Sequence, residues 1–264
     1  MIRRLCLLLG LCLAPLAAHA NGRLSPNQIA SVGAHPDADA RIPYDTHWVD
    51  RNGKPVLLGD LVKGKPTVLL FIDYTCRHIC GPGLTLTAGA LHDSGLKVGK
   101  DVSFVILGFN PGDGPAEARA MADKQLSALP DIQSAVHLLS ADPDTIDKAE
   151  RALGFKAVYD STTNQYAHDA SAYIFNAKGK LTKLLPETAL VAPVLKKELY
   201  AAGGSDQNQG FLAHITTVCY GFAAAHGLYG NAIVIGLKTG GVLILLAGVV
   251  FFLLMLRRRR RHAA

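Results

Sequence analysis

Two apolar runs, TVLLFID at residues 67–73 and VSFVILGF at 102–109, offer solvent no polar face. Strands of that kind are buried on both sides, which puts them in the middle of a sheet covered by helices. The segments around them agree. Helical patterns run from Cys80 to about residue 91, onward from Pro115, and from the pair Asp142-Pro143 to Leu153. Proline suits a first helical turn, and aspartate suits the position before it. AVHLLS (135–140) reads as a short strand, SAYIFNAKGKLTKLL (171–185) as a hairpin turning over 176–179, and 189–200 as a last helix. Strands separated by helices and closed by a hairpin predict an α/β fold. Its sheet is mixed rather than purely parallel, and helices flank it.

The two ends of the chain carry a different kind of signal. Arg3 and Arg4 precede a mostly apolar stretch, 5–18, and Ala18-His19-Ala20 is an A-x-A cleavage site. This predicts a secretory signal peptide over 1–20. Residues 239–256 hold no charge and are followed by five arginines. A helix of that length spans about 27 Å, close to the hydrocarbon core of a bilayer. The positive-inside rule keeps the basic tail, 257–264, on the cytoplasmic side. The expected organisation is then a domain over 21–205, a juxtamembrane linker over 206–238 beginning near AGGSDQNQG, and one C-terminal transmembrane helix. The domain would face the periplasm from a bacterial inner membrane. The net charge of +6 changes meaning accordingly, because Arg3, Arg4 and Arg257 to Arg261 supply seven positives. Without them 20 basic residues face 21 acidic ones, and no case for nucleic-acid binding remains.

The first apolar run leads straight into DYTCRHIC, 73–80. Cys76 falls just past the carboxyl end of a central strand and Cys80 at the start of the next helix, where open α/β sheets build their sites. Cleavage of the signal would leave Cys76, Cys80 and Cys219 as the only cysteines. A structural disulfide closing so short a loop restricts the unfolded chain little. A redox pair and a soft-metal clip are the stronger readings. The helix N-terminus, with Arg77 and His78 nearby, favours thiolate. Thiolate and imidazole together select copper, zinc or iron–sulfur clusters. Between the signal peptide and the linker lie six histidines: His35, His47, His78, His92, His137 and His168. Asp73 and Tyr74 read as shaping the pocket.

GKPTVLLFIDYTCRHIC (64–80) resembles the signature of the SCO/SenC proteins, thioredoxin-like copper chaperones of cytochrome c oxidase assembly. THWVDRNGKPVLLGDLVKGKP (46–66) is similar to that family's opening hairpin, FNPGDGPAEARAMA (109–122) to its D-P-x-x-D-T-P segment, and YAHDASAYIFNAKGKL (166–181) to its histidine-bearing stretch. The likeness runs over roughly 44–256. It implies a thioredoxin-like sheet and copper, as Cu(I) or Cu(II), held by Cys76, Cys80 and His168. It also implies a copper acceptor in the dinuclear site of cytochrome c oxidase subunit II. A thiol–disulfide oxidoreductase acting on that target's cysteines through Cys76 and Cys80 is the alternative, and a redox or copper sensor a third. Three positions depart from the pattern: Gly81 stands in place of proline, Asn110 in place of aspartate and Gly114 in place of threonine. His78 is a candidate alternate ligand. Cys219, with His214 and His226, is a candidate second site that reads more simply as packing.

Overall fold

The computed structural model describes residues 24–203 and, singly, Gly241 and Gly248. The expected signal peptide, linker and basic tail, with Cys219, His214 and His226, lie outside the described residues, as does the expected membrane span apart from those two glycines. Among the described residues no helix is long and apolar enough to cross a membrane.

An N-terminal arm carries α1 (Pro26–Ser31) and β1 (Gly33–Ala34), and a hairpin follows of β2 (His47–Asp50) and β3 (Pro55–Leu57) with α2 (Leu58–Val62) behind it. The centre of the fold is β4 (Thr67–Ile72), α3 (Cys80–Ser94) and β5 (Ser103–Gly108). Next come α4 (Pro115–Leu126), α5 (Pro130–Ala135), β6 (His137–Ser140) and α6 (Pro143–Leu153). Four short strands lead out of α6: β7 (Phe155–Lys156), β8 (Val158–Asp160), β9 (Gln165–Ala167) and β10 (Ala172–Phe175). The last two elements are β11 (Leu181–Leu185) and α7 (Ala192–Gly203).

Seven strands form one sheet in the order β11-β10-β4-β5-β6-β2-β3. β4, β5 and β6 run parallel; β10 and β11 on one side and β2 and β3 on the other are antiparallel. All residues of β4 and β5 are buried, as two-faced apolar strands require. Val68, Leu70 and Ile72 point to one face, where Leu84 and Leu91 of α3, Leu126 of α4 and Leu195 of α7 cover them. Leu69 and Phe71 point to the other, under Leu58 of α2 and Ile146 and Leu153 of α6. Each such side chain contributes roughly 2 kcal/mol of burial.

The expected elements are present, with one shift. The last helix starts at Ala192, because Pro186 and a 3-10 turn at Glu187–Ala189 occupy the residues before it. α6 starts where expected: the Asp142 side chain accepts a hydrogen bond from the Thr145 N–H at 3.0 Å. It ends at Gly154, whose φ of 61° suits glycine. A β-carbon on Gly154 would lie 2.2 Å from the His35 carbonyl oxygen and 2.6 Å from Pro36 Cα, both backbone atoms. Gly154→Ala is therefore expected to lower stability by at least about 2 kcal/mol, combining left-handed strain with displacement of the arm. Guanidinium unfolding followed by the fluorescence of Trp48, the only tryptophan, measures it. An unchanged midpoint would refute the contact.

Candidate metal centre

β4 ends at Ile72, and residues 73–79 turn the chain into α3 above the carboxyl edge of the sheet. Side chains rather than secondary structure hold the turn. Asp73 Oδ1 accepts from the Thr75 N–H at 2.9 Å and from its hydroxyl at 2.7 Å, and the Cys76 N–H donates to the Asp73 carbonyl at 3.1 Å. Tyr74 folds under the loop, its hydroxyl donating to the Leu139 carbonyl at 2.9 Å. Only glycine at 108 leaves room for that ring, since a β-carbon there would come within 2.7 Å of it. From the β5–α4 loop Asp113 accepts from the Tyr74 N–H at 2.6 Å. Cys76 is thereby left half-buried on the loop, and Cys80 is buried at the first residue of α3.

His168 arrives from the other side. β8 and β9 form a separate hairpin, and β9 ends one residue before it. Its Nε2 stands 3.1 Å from Cys80 Sγ, and one ligand atom each from Cys76, Cys80 and His168 fall within 4.8 Å of one another. His168 Nδ1 is 2.8 Å from the Asp169 carbonyl oxygen. A carbonyl can only accept, so Nδ1 carries the hydrogen, and the Nε2 lone pair of the neutral ring faces the sulfurs. That tautomer is the one a metal ligand needs. Phe109 lies 5.0 Å from the imidazole, centroid to centroid, and Phe155 6.3 Å, so the inner wall is aromatic.

The two thiols are free and differ sharply in acidity. A hydrogen bond from Cys80, opposed by partial burial and aided by His168, pushes the Cys76 thiol down to about 3. That same hydrogen bond, then burial and the charge on Cys76, drive the Cys80 thiol far above its ordinary range. The helix N-terminus is expected to favour thiolate, and the structure divides the two thiols. Cys80, the residue at the helix start, keeps its proton, because a second negative charge beside the Cys76 thiolate in a buried site costs more than the helix end returns. Burial opposes a charge on His168, yet the Cys76 hydrogen bond and the Asp169 carbonyl outweigh it and raise its pKa.

Of the expected site residues the structure brings together Cys76, Cys80 and His168. His78 is exposed and stands outside the group; His92 pairs with Asp131 at the surface; His137 begins β6. The departures from the family pattern have local reasons. A β-carbon on Gly81 would meet the Gln125 amide of α4 at 2.5 Å. Asn110 Nδ2 lies 3.2 Å from Asp73 Oδ1 and 3.3 Å from Asp113 Oδ1, so this amide bridges two carboxylates that an aspartate would repel. Gly114 lacks a capping hydroxyl, and its N–H donates to Glu117 Oε2 at 2.9 Å. Asp113 lies inside the 109–122 segment but carries no local signal that would single it out in the sequence.

Sheet, flanking helices and thiol turn are those of a thioredoxin-like α/β protein, here one whose two thiols have gained an imidazole as a third soft donor. The profile of the SCO1/SenC family matches residues 35–199, more than half the chain, and the chain belongs to that family. Among solved structures it is similar to Arabidopsis thaliana ScoI with copper bound, at 18% identity and a TM-score of 0.51 over 62% of this chain and 99% of that one. It is likewise similar to a SCO1/SenC family lipoprotein from Bacillus anthracis, at 21% and 0.52 over 64% and 99%. BsSco, described as having a disulfide switch and as a member of the Sco family of cytochrome c oxidase assembly proteins, stands at 19% and 0.51 over 65% and 99%. These likenesses carry the fold. No curated protein matches the chain.

Proposed function

We propose that the protein binds copper through Cys76, Cys80 and His168 and delivers it, during cytochrome c oxidase assembly, to the dinuclear site of subunit II. The observation that carries this reading is the convergence of two sulfurs and one free imidazole nitrogen within 4.8 Å on a SCO1/SenC scaffold. The donor set is soft and fits Cu(I). Cys76 is ready as thiolate, and Cys80 gives up its proton as the ion is taken, so loading strengthens with rising pH. The uncharged run 239–256 with its arginine tail, and the cleavable signal at 1–20, support a tether that holds the domain of residues 21–205 at the periplasmic face of the inner membrane. Tethering would confine donor and acceptor to one surface and raise their effective concentration.

The unequal thiols also suit disulfide exchange, with Cys76 as the attacking group. Titration of the reduced full chain with Cu(I), beside His168→Ala, separates the readings. One tightly held ion per chain, weakened about tenfold or more by His168→Ala, is the expected result; removal of groups around a metal commonly costs that much. No copper uptake by the wild type, or equal uptake by His168→Ala, would leave thiol exchange as the function.

A further inference from the structure

The cysteine turn and the histidine hairpin come from distant parts of the chain, and apart from the contacts of the thiols with His168 a single hydrogen bond joins them among the described residues. The Arg77 N–H donates to the Gln165 side-chain Oε1 at 3.1 Å. Gln165 is the first residue of β9, paired in register with Asp160, and lies three residues before His168. The other end of its amide is also engaged: Nε2 donates to the Asn164 carbonyl at 2.7 Å. With Nε2 so occupied, Oε1 must face Arg77, and the amide has one orientation. Asn164 is the only non-glycine among the described residues with positive φ, 54°. Its side chain is tied to the Tyr159 hydroxyl across the hairpin. Asparagine tolerates the left-handed region better than other side chains, and here it turns the strand so that Gln165 reaches over the thiol loop.

We infer that Gln165 is a positioning residue for the Cys76–Cys80–His168 site, a clamp that holds the thiol loop and the imidazole in register before anything is bound. Without it the ligand atoms themselves would have to hold the two loops together, so ordering them would be charged against binding. The clamp also acts on the thiol pair. The clamp holds the loop in its free-thiol arrangement, so whatever shift the Cys76–Cys80 bond requires works against it, and the clamp favours the dithiol. In the exchange with glutathione disulfide the S–S bond of the reagent breaks and that between Cys76 and Cys80 forms. Two electrons pass from the protein, and the Cys80 proton together with one from solvent ends on two molecules of glutathione.

Two readouts on the full chain test the clamp: competition for Cu(I) against bicinchoninate, which rests on the copper reading, and equilibration with oxidised and reduced glutathione, which does not. Gln165→Ala is expected to weaken Cu(I) binding about tenfold, the usual cost of losing an outer partner, and to shift the glutathione equilibrium severalfold toward the disulfide. Gln165→Glu keeps an acceptor for the Arg77 N–H and is expected to recover most of either change. His92→Ala, which breaks an exposed pair between α3 and α5, controls for general loosening and should move neither. A wild type that takes no Cu(I) would refute the copper reading, and the glutathione equilibrium would then decide the clamp alone. Unchanged readouts in Gln165→Ala, or a change that Gln165→Glu does not restore, would overturn it.

Discussion

Cys76→Ser is expected to leave Cys80 nearly inert, with alkylation by iodoacetamide at pH 7 more than about a hundredfold slower than at Cys76 in the reduced wild type. The thiolate is the reacting form, so each step of ten in thiolate fraction is a step of ten in rate until the thiol is fully ionised. Cys76 is half-buried and ionised well below neutrality. Cys80 loses two causes of its high pKa when Cys76 is removed, the hydrogen bond and the neighbouring charge, but burial remains, with 3% of its surface exposed, and burial disfavours the charged form. Access acts in the same direction. The reverse variant, Cys80→Ser, keeps a half-buried sulfur beside His168, with a serine hydroxyl where the Cys80 donor stood, and should stay reactive. Mass spectrometry resolves the modification by site, which separates these thiols from Cys219. Equal rates at Cys80 in Cys76→Ser and at Cys76 in Cys80→Ser would show that the thiols are equivalent and that the asymmetry is wrong.

That asymmetry is not legible in the sequence. A helix N-terminus beside Arg77 and His78 argues for thiolate, and the rule treats each cysteine separately. The structure couples them, and coupled groups cannot both take the favourable charge state. The strands fared better for a physical reason: six consecutive buried positions in β4 and in β5 admit one placement, the middle of a covered sheet. The ends of α6 were legible from Asp142-Pro143 and Gly154, since caps and left-handed glycines act locally. The β8–β9 hairpin was not. Its strands have three residues each, and the intervening STTN carries no apolar alternation, so neither period can be read from it. His168 was recognised through resemblance alone. No local rule connects residues 88 apart in sequence. Gln165 left no trace for the same reason, its role depending on an approach that only the folded hairpin creates. Asn110 looked like a defect in a motif and proved to be an answer to particular neighbours, Asp73 and Asp113.

Asp113→Asn is expected to stabilise the protein at pH 8 by several kcal/mol and to leave it unchanged near pH 4. The carboxyl is 6% exposed and sits beside Asp73, itself buried. Burial first, and the charge on Asp73 second, push Asp113 up to about 7, against an accepted hydrogen bond from the Tyr74 N–H. The sign follows from where protons reside. Below about pH 4 the carboxyl is protonated in folded and unfolded chains alike, and its titration contributes nothing. Between about 4 and 7 the folded protein holds a proton that the unfolded chain has released, so stability falls as pH rises. Above 7 the full cost is present, on the order of 4 kcal/mol at most, because each pKa step corresponds to about 1.4 kcal/mol. Asparagine keeps an oxygen for the Tyr74 N–H and turns its amide N–H groups toward Asp73, replacing repulsion with a hydrogen bond. What it gives up is an acceptor for Asn110 Nδ2, which still has Asp73 Oδ1 at 3.2 Å and Thr75 Oγ1 at 3.3 Å. Glu150, also raised to about 7 by burial, lies on α6 and titrates in both proteins, so it cancels in the difference. Guanidinium unfolding at pH 4, 6 and 8, followed at buried Trp48, gives that difference directly. A gap that opens with pH supports a buried carboxylate pair held under the thiol loop at a cost in stability. Two curves that stay parallel across the range would mean that Asp113 is ionised without penalty and that the pair does not repel.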